Sequence, residues 1–190
     1  MNYLELFKMP TAMKITGRTS TITNAFVNAI IPVIHPTEKE VEQALAILGL
    51  NTDPLQCSYC GATCSEWDHL RPLVVDKMPT GYISEIHNLV PSCGKCNQSK
   101  GNKNWKIWMH GDARLSPKTK QIPDLTCRTE RLQAFEEWST PTMVDFEAIV
   151  GTDRWNLHWQ NCNEIMESMR EAQTHAKLIN QMVTAHRTAE

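Results

Sequence analysis

With 190 residues, 41% of them apolar and 21% charged, the chain is sized for one domain with a proper core or for two small ones, and its composition excludes wholesale disorder. The net charge of −2 gives no overall push toward a polyanion. No run approaches the roughly 18 uninterrupted apolar residues of a membrane span, and Met1–Pro10 lacks a basic start ahead of an apolar stretch, so no secretory signal is expected and the expected compartment is the cytoplasm.

Residues 1–20 are mixed in character and are expected to be loosely ordered. Residues 21–34 read as a helix or a strand-like apolar segment; Ile22, Phe26, Ala29 and Ile30 fit helical spacing, with Pro32 ending the pattern. Next, Thr37 with Glu40 three residues on is a capping box; Val41, Leu45 and Leu48 form an apolar stripe, and Gly49 closes the helix. Residues 51–56 read as a linker. The centre, 57–110, has short apolar stretches separated by the turn formers Pro79, Thr80 and Gly81. Its end, 97–109, reads as one helix with Trp105, Trp108 and Met109 facing inward, weakened at Gly101. A connecting loop is expected over 111–127, a helix near 128–139 ahead of Pro141, and one long helix over 152–187. In that last helix Trp155, Trp159, Cys162, Met166, Met169, Ala176 and Val183 fall at three- and four-residue steps. Such a stripe packs on the rest of the chain or pairs with a second copy.

The chain holds seven cysteines, and without a secretory signal they favour metal over disulfides. Cys57 and Cys60 form one Cys-x-x-Cys pair, Cys93 and Cys96 another, with 32 residues between. Each pair offers two thiolates from a tight turn, and four soft ligands complete a tetrahedral zinc shell with no open position for water. The zinc is therefore expected to be structural. Cys64 in place of Cys60 is the rival set, iron the rival metal, and Cys127 and Cys162 read as small apolar residues. Taken alone, the cysteines also suit a zinc ribbon that binds nucleic acid or protein and catalyses nothing. Charge adds a further pointer: from Lys95 to Lys120 there are seven basic residues and one acid, Asp112, a stretch suited to a phosphate backbone or to a solvated helix face.

Asp68-His69 lies between the cysteine pairs, Asn88 comes nineteen residues after His69, and Asn97 follows the last cysteine. On Asp68-His69, 88-NLVPSC-93 and 96-CNQSKGN-102, the segment 57–104 resembles the HNH endonuclease family. The resemblance implies a central ββα-metal module at 57–110 held by zinc; the flanks match no motif of the family, and their helical patterns make the expected chain α+β and mostly helical, with an N-terminal helical segment at 1–56 and a C-terminal helical region at 111–190. The last letter of the motif is Asn97 rather than histidine. A carboxamide oxygen suits a hard cation, so Mg²⁺ or Mn²⁺ held by Asp68 and Asn97 is the expected catalytic ion.

The chemistry needs these residue types in its own right. Phosphodiester hydrolysis requires a deprotonated water and charge relief on the phosphorane, and a histidine titrating near neutrality suits the proton transfer. His69 is thus the expected general base, and by analogy Asn88 braces the strand that carries it. Arg71, two residues after His69, is expected on the same strand face, where it holds phosphate or forms a surface salt bridge. Lys95, Lys100 and Lys103 are expected to position the nucleic-acid backbone, and 76–86 to form a hairpin loop able to reach it. His87 is expected to pack, and the tryptophans to be core. The implied substrate is DNA, cut to 5′-phosphate and 3′-hydroxyl ends in restriction or phage defence, with a homodimer needed for a double-strand break. The alternatives are a non-catalytic zinc module and an RNase using the same site.

Overall fold

The computed structural model describes residues 6–50 and 52–188; the expectations that fall on residues 1–5 and on Asn51 lie outside them. By its contacts the chain divides into two units, Val27–Ile149 and Met1–Phe26 with Val150–Glu190. Helix α1 (Thr19–Ala29) ends three residues before Pro32, consistent with the apolar spacing and the proline stop.

Within Val27–Ile149, α2 (Glu38–Leu48) begins as its capping box dictates: Thr37 Oγ1 accepts from Glu40 N–H at 3.3 Å, and the Thr37 N–H donates to Glu40 Oε2 at 2.7 Å. Gly49 ends the helix in the left-handed conformation. The central module then lays down strand β1 (Glu66–His69), a hairpin of β2 (Val74–Val75) and β3 (Met78–Pro79), and strand β4 (Leu89–Ser92). Strands β1 and β4 pair antiparallel, with Glu66 opposite Ser92 and His69 opposite Leu89. The hairpin expected over 76–86 is shorter and earlier: β2 and β3 pair over 74–79 and turn at Asp76 and Lys77, both at positive φ.

Helix α3 (Gly94–Lys100) starts directly after Cys93, and α4 (Trp105–His110) follows. The single helix expected over 97–109 is therefore two. Gly101 turns to φ 50° and ψ −130°, a conformation open to glycine, and the Asn104 side chain caps a fresh start by accepting from the N–H groups of Lys106 and Ile107. Trp105, Trp108 and Met109 are buried, as the spacing predicts. They join Tyr59, Leu70, Val90 and two of the motif cysteines in one core, closed by Ala44 and Leu48 of α2 and by Leu132 and Phe135 of α5 (Leu125–Trp138). The zinc knuckles and the flanking helices thus share a hydrophobic core, and burial of that apolar surface is the main force holding them together.

In the other unit, α6 (Thr152–Thr188) is one continuous helix. Cys162 is buried on it, Trp155 and Trp159 meet edge to face at 5.4 Å, and His158 Nε2 lies 3.1 Å from the Phe26 carbonyl oxygen. The inward stripe stops short of Val183, which is exposed. The architecture is α+β and mostly helical, with the ββα module at its centre. Among the described residues no helix is long and apolar enough to cross a membrane.

Candidate functional site

Two devices share the module, and the cysteine cluster comes first. The sulfurs of Cys57, Cys60, Cys93 and Cys96 all lie within 4.8 Å of one another. Four sulfurs about 2.3 Å from a central zinc would stand about 3.8 Å apart, and Cys60 and Cys93 are 3.7 Å apart. Thiolates this close cannot all be charged alone: Cys57 is pulled down by sulfur contacts with Cys60 and Cys96, while Cys60 is pushed up to about 11 by Cys57. A dication relieves that repulsion, so the donor set fits zinc. Cys64 stays outside the cluster, its thiol on the Glu66 carbonyl oxygen at 3.3 Å. Arg128 of α5 clamps the first knuckle from behind, donating to the carbonyl oxygens of Cys57 and Ser58. At Gly61, φ is 76° and an added Cβ would sit 2.6 Å from the Arg128 guanidinium, so the turn after Cys60 requires glycine. Cys127 is exposed rather than packed.

The second device is β1 against α3. Alternation along the strand puts Trp67 and His69 on one face and Glu66 and Asp68 on the other. Helix α3 covers the carboxylate face in two successive rungs. Asn97 Nδ2 donates to Glu66 Oε2 at 2.8 Å, and one turn on Lys100 Nζ lies 3.1 Å from Asp68 Oδ1. The other oxygen of Asp68 accepts from the Tyr59 hydroxyl at 2.6 Å. Lys100 also donates to the carbonyl oxygens of His69 and Gly101.

The Asp68–Lys100 pair is 5% and 0% exposed. Burial pushes the Asp68 carboxyl above its ordinary range and the Lys100 ammonium below its own, and the attraction between them works against both shifts. Here the sequence expectation for Lys100 is corrected. A fully buried ammonium committed to a carboxylate and two carbonyls cannot reach a phosphate backbone. It is an internal strut. Lys100→Met should destabilise the zinc-loaded protein by about 3–5 kcal/mol, because Asp68 is left as an unpaired buried charge; urea unfolding of the two proteins checks this. Lys95 and Lys103 do stand on the surface.

His69 occupies the other face, half-buried, with Nε2 2.9 Å from Ser84 Oγ. Burial, and then the nearby Lys100 charge, lower its pKa to about 4. Ser84 is itself set by the chain just after α1, with its N–H on the Pro32 carbonyl oxygen and its carbonyl accepting from the Ile34 N–H. Sequence reasoning missed Ser84, as it missed Glu66 and Tyr59. The only signals were that Glu66 shares a strand face with Asp68 and that Lys100 is one turn beyond Asn97.

Asn88, fully buried, makes two hydrogen bonds to one residue: its Oδ1 accepts from the Arg71 N–H at 2.8 Å, and its Nδ2 donates to the Arg71 carbonyl oxygen at 3.1 Å. The chain leaving β1 is thereby tied to the turn that enters β4. Arg71 does not share a strand face with His69, because β1 ends at His69. Its guanidinium donates to the Glu136 carbonyl oxygen at 3.1 Å and lies over the Tyr82 ring. His87 sits in a short 3-10 turn, Ile86–Asn88, rather than on a strand, and its ring packs on Trp138 at 4.7 Å. Trp67 alone of the module's tryptophans is exposed, at 51%.

Residues 57–103 match the family model described as HNH endonuclease. A curated relative, the CRISPR-associated endonuclease Cas9 of Corynebacterium diphtheriae (strain ATCC 700971 / NCTC 13129 / Biotype gravis), is 42% identical over 57 residues, which is 28% of this chain and 5% of that protein. No solved structure matches. The match thus places HNH endonuclease domain similarity on the central module, and the four-cysteine cluster falls inside the matched segment.

Proposed function

We propose that the module hydrolyses DNA phosphodiester bonds with the help of a hard divalent cation, Mg²⁺ or Mn²⁺, and that His69 is its general base. The observation that carries this reading is the placement of His69, half-buried on the strand that also carries Glu66 and Asp68, with Nε2 2.9 Å from Ser84 Oγ. Burial keeps the ring neutral at physiological pH and so free to take a proton, and a value lowered to about 4 makes it a weaker base than the near-neutral histidine expected from the sequence. Lys100, bonded to the His69 carbonyl oxygen, and Asn88, bonded to Arg71, hold the main chain on both sides of the base. Asn97 and a carboxylate of β1 would hold the cation, which when bound relieves charge on the scissile phosphate. Lys95 and Lys103 lie at the start and just beyond the end of α3, where a backbone following that helix would meet them. Hydrolysis of this kind leaves 5′-phosphate and 3′-hydroxyl ends.

One such centre cuts one strand, so the expected product is a nick, and a double-strand break requires a homodimer. Restriction or phage defence is the role such an activity fits. The test is to incubate the zinc-loaded protein with supercoiled plasmid and Mg²⁺. Conversion to a nicked form whose ends a DNA polymerase extends supports the reading. An intact plasmid alongside cleaved single-stranded RNA reassigns the site to RNA. No cleavage of either leaves a non-catalytic zinc module.

A further inference from the structure

Helix α6 is longer than the part of it that its own unit covers. Its 37 residues span about 55 Å, and the N-terminal segment packs along the first part only. There the ring of His158 meets that of Phe26, and the Ile15 N–H donates to Gln173 Oε1 at 2.7 Å. Cys162, Met166, Met169, Gln173 and Ala176 are buried or half-buried at the spacing of one helix face. From Lys177 to Arg187 every residue is exposed, and Ile179, Met182 and Val183 are so by 49%, 65% and 59%. Three large apolar side chains bared within two turns form an unpartnered patch.

Upstream on the same helix lies an open groove of about 600 Å³, between Ile15 and a row formed by Ile165, Ser168, Met169 and Ala172. At 3.6 residues per turn, Ile165, Ala172, Ile179 and Val183 fall within about 40° of one another around the axis. Groove and bared patch are therefore successive stretches of one face. Ile165, Ala172 and Ile179 recur every seven residues, and so do Met169, Ala176 and Val183, the repeat by which one helix packs along another.

Charge selects the occupant and its direction. From Thr152 to Glu171 the helix carries the acids Asp153, Glu164, Glu167 and Glu171 against Arg154 and Arg170; from Ala172 to Thr188 it carries Lys177 and Arg187 and no acid. Two copies running the same way would set like charges side by side. Antiparallel copies set the basic end of each against the acidic stretch of the other. The apolar residues meet in that same direction. With Ala172 opposite Ala176 of the second copy, Ile179 lies opposite Met169, Val183 opposite Ile165, and Lys177 level with Glu171. Each bared end then fills the other copy's groove, the self-complementary contact that a two-fold dimer requires.

We infer that this face of α6 is a homodimer interface, formed antiparallel, with the turns after Ala176 of each copy seated in the groove beside Ile15 of the other. It stands apart from the nuclease reading, because its test needs no nucleic acid. Sedimentation equilibrium of the zinc-loaded full chain is expected to give twice the 21.6 kDa of one chain. Ile179→Glu combined with Val183→Glu, and separately Ala172→Glu in the groove, should each raise the dissociation constant about tenfold or more. All three positions are exposed in the single chain, so helicity by circular dichroism should be unchanged.

Direction is read by disulfide cross-linking in a Cys127→Ser background, which removes an exposed thiol. Ile165→Cys chains mixed with Val183→Cys chains should give covalent dimers on oxidation, and neither should do so alone. A single-chain mass at every concentration overturns the inference, as does a dimer that both sets of glutamate substitutions leave intact. Cross-linking of Val183→Cys with itself overturns the antiparallel pairing. Where a glutamate variant loses helicity, the cysteine pair still decides.

Discussion

His69→Ala should lose about 10²–10⁴ of the nuclease rate with its zinc content and unfolding midpoint close to wild type. The ring makes a single hydrogen bond, to Ser84 Oγ, from a half-buried position on the face of β1 away from the core. Removing it therefore sacrifices little packing. What is lost is the neutral imidazole at the place where a proton must be accepted. The pH dependence provides a second reading of the same group. A pKa lowered to about 4 by burial and by Lys100 keeps the base unprotonated well below the ordinary histidine range. The kcat/KM for plasmid nicking should thus stay level from about pH 8 down to about pH 5.5, without the fall near 6.5 that an unperturbed histidine would give.

The linkage has a definite sign. The folded value is depressed below the unfolded one, so between roughly pH 6.5 and 4 the unfolded chain binds the extra proton. Stability conferred by the neutral ring is complete above that window and falls as pH falls through it. Full activity in His69→Ala, or an acidic limb centred on the ordinary histidine value, would remove His69 from the role of base.

Stripping the zinc should unfold the unit Val27–Ile149. The physical reason lies in how the cluster is built into the core. Cys57 and Cys96 are themselves members of the buried cluster formed by Tyr59, Trp105, Trp108, Leu132 and Phe135. Four crowded sulfurs without a cation repel or must protonate, and Cys60 is already displaced to about 11. Structural zinc in small modules contributes about 10–16 kcal/mol, while whole domains are stable by only about 5–15 kcal/mol. A zinc-selective chelator should thus abolish the cooperative thermal transition of this unit, and Cys93→Ser should behave as the stripped protein does. Near-UV circular dichroism from the buried tryptophans follows the loss. An unchanged transition after verified zinc removal would show that the apolar core holds without the metal. Because protons compete with zinc for the thiolates, the protein's own zinc affinity should fall as pH is lowered.

Features that depend on neighbours in sequence were readable from sequence. The capping box at Thr37 and Glu40, the stop at Gly49, the long helix Thr152–Thr188 and the selection of Cys57, Cys60, Cys93 and Cys96 over Cys64 all follow from spacing, because a helical turn and a metal knuckle are closed within a few residues. The break between α3 and α4 was half-visible: Gly101 weakened the helix, but Asn104 as a new cap became evident only once the turn had formed. Alternation puts Arg71 on the His69 face only if the strand continues; it stops at His69, and the guanidinium is drawn off by Glu136, sixty-five residues later.

The carboxylates of β1 show most clearly where sequence stops. Residue type and order along the strand established by themselves that Glu66 and Asp68 share one face and His69 the other, since strand geometry alternates side chains. They also established that Asn97 and Lys100 share one face of α3. Which carboxylate meets which partner depends on how far the helix is slid along the strand, and contacts between residues far apart in sequence decide that, not any local preference. The chosen register buries Lys100 against Asp68 and leaves Asn97 beside Glu66. A lysine that reads as a phosphate contact thereby becomes a core strut, and the carboxylate beside Asn97 is Glu66.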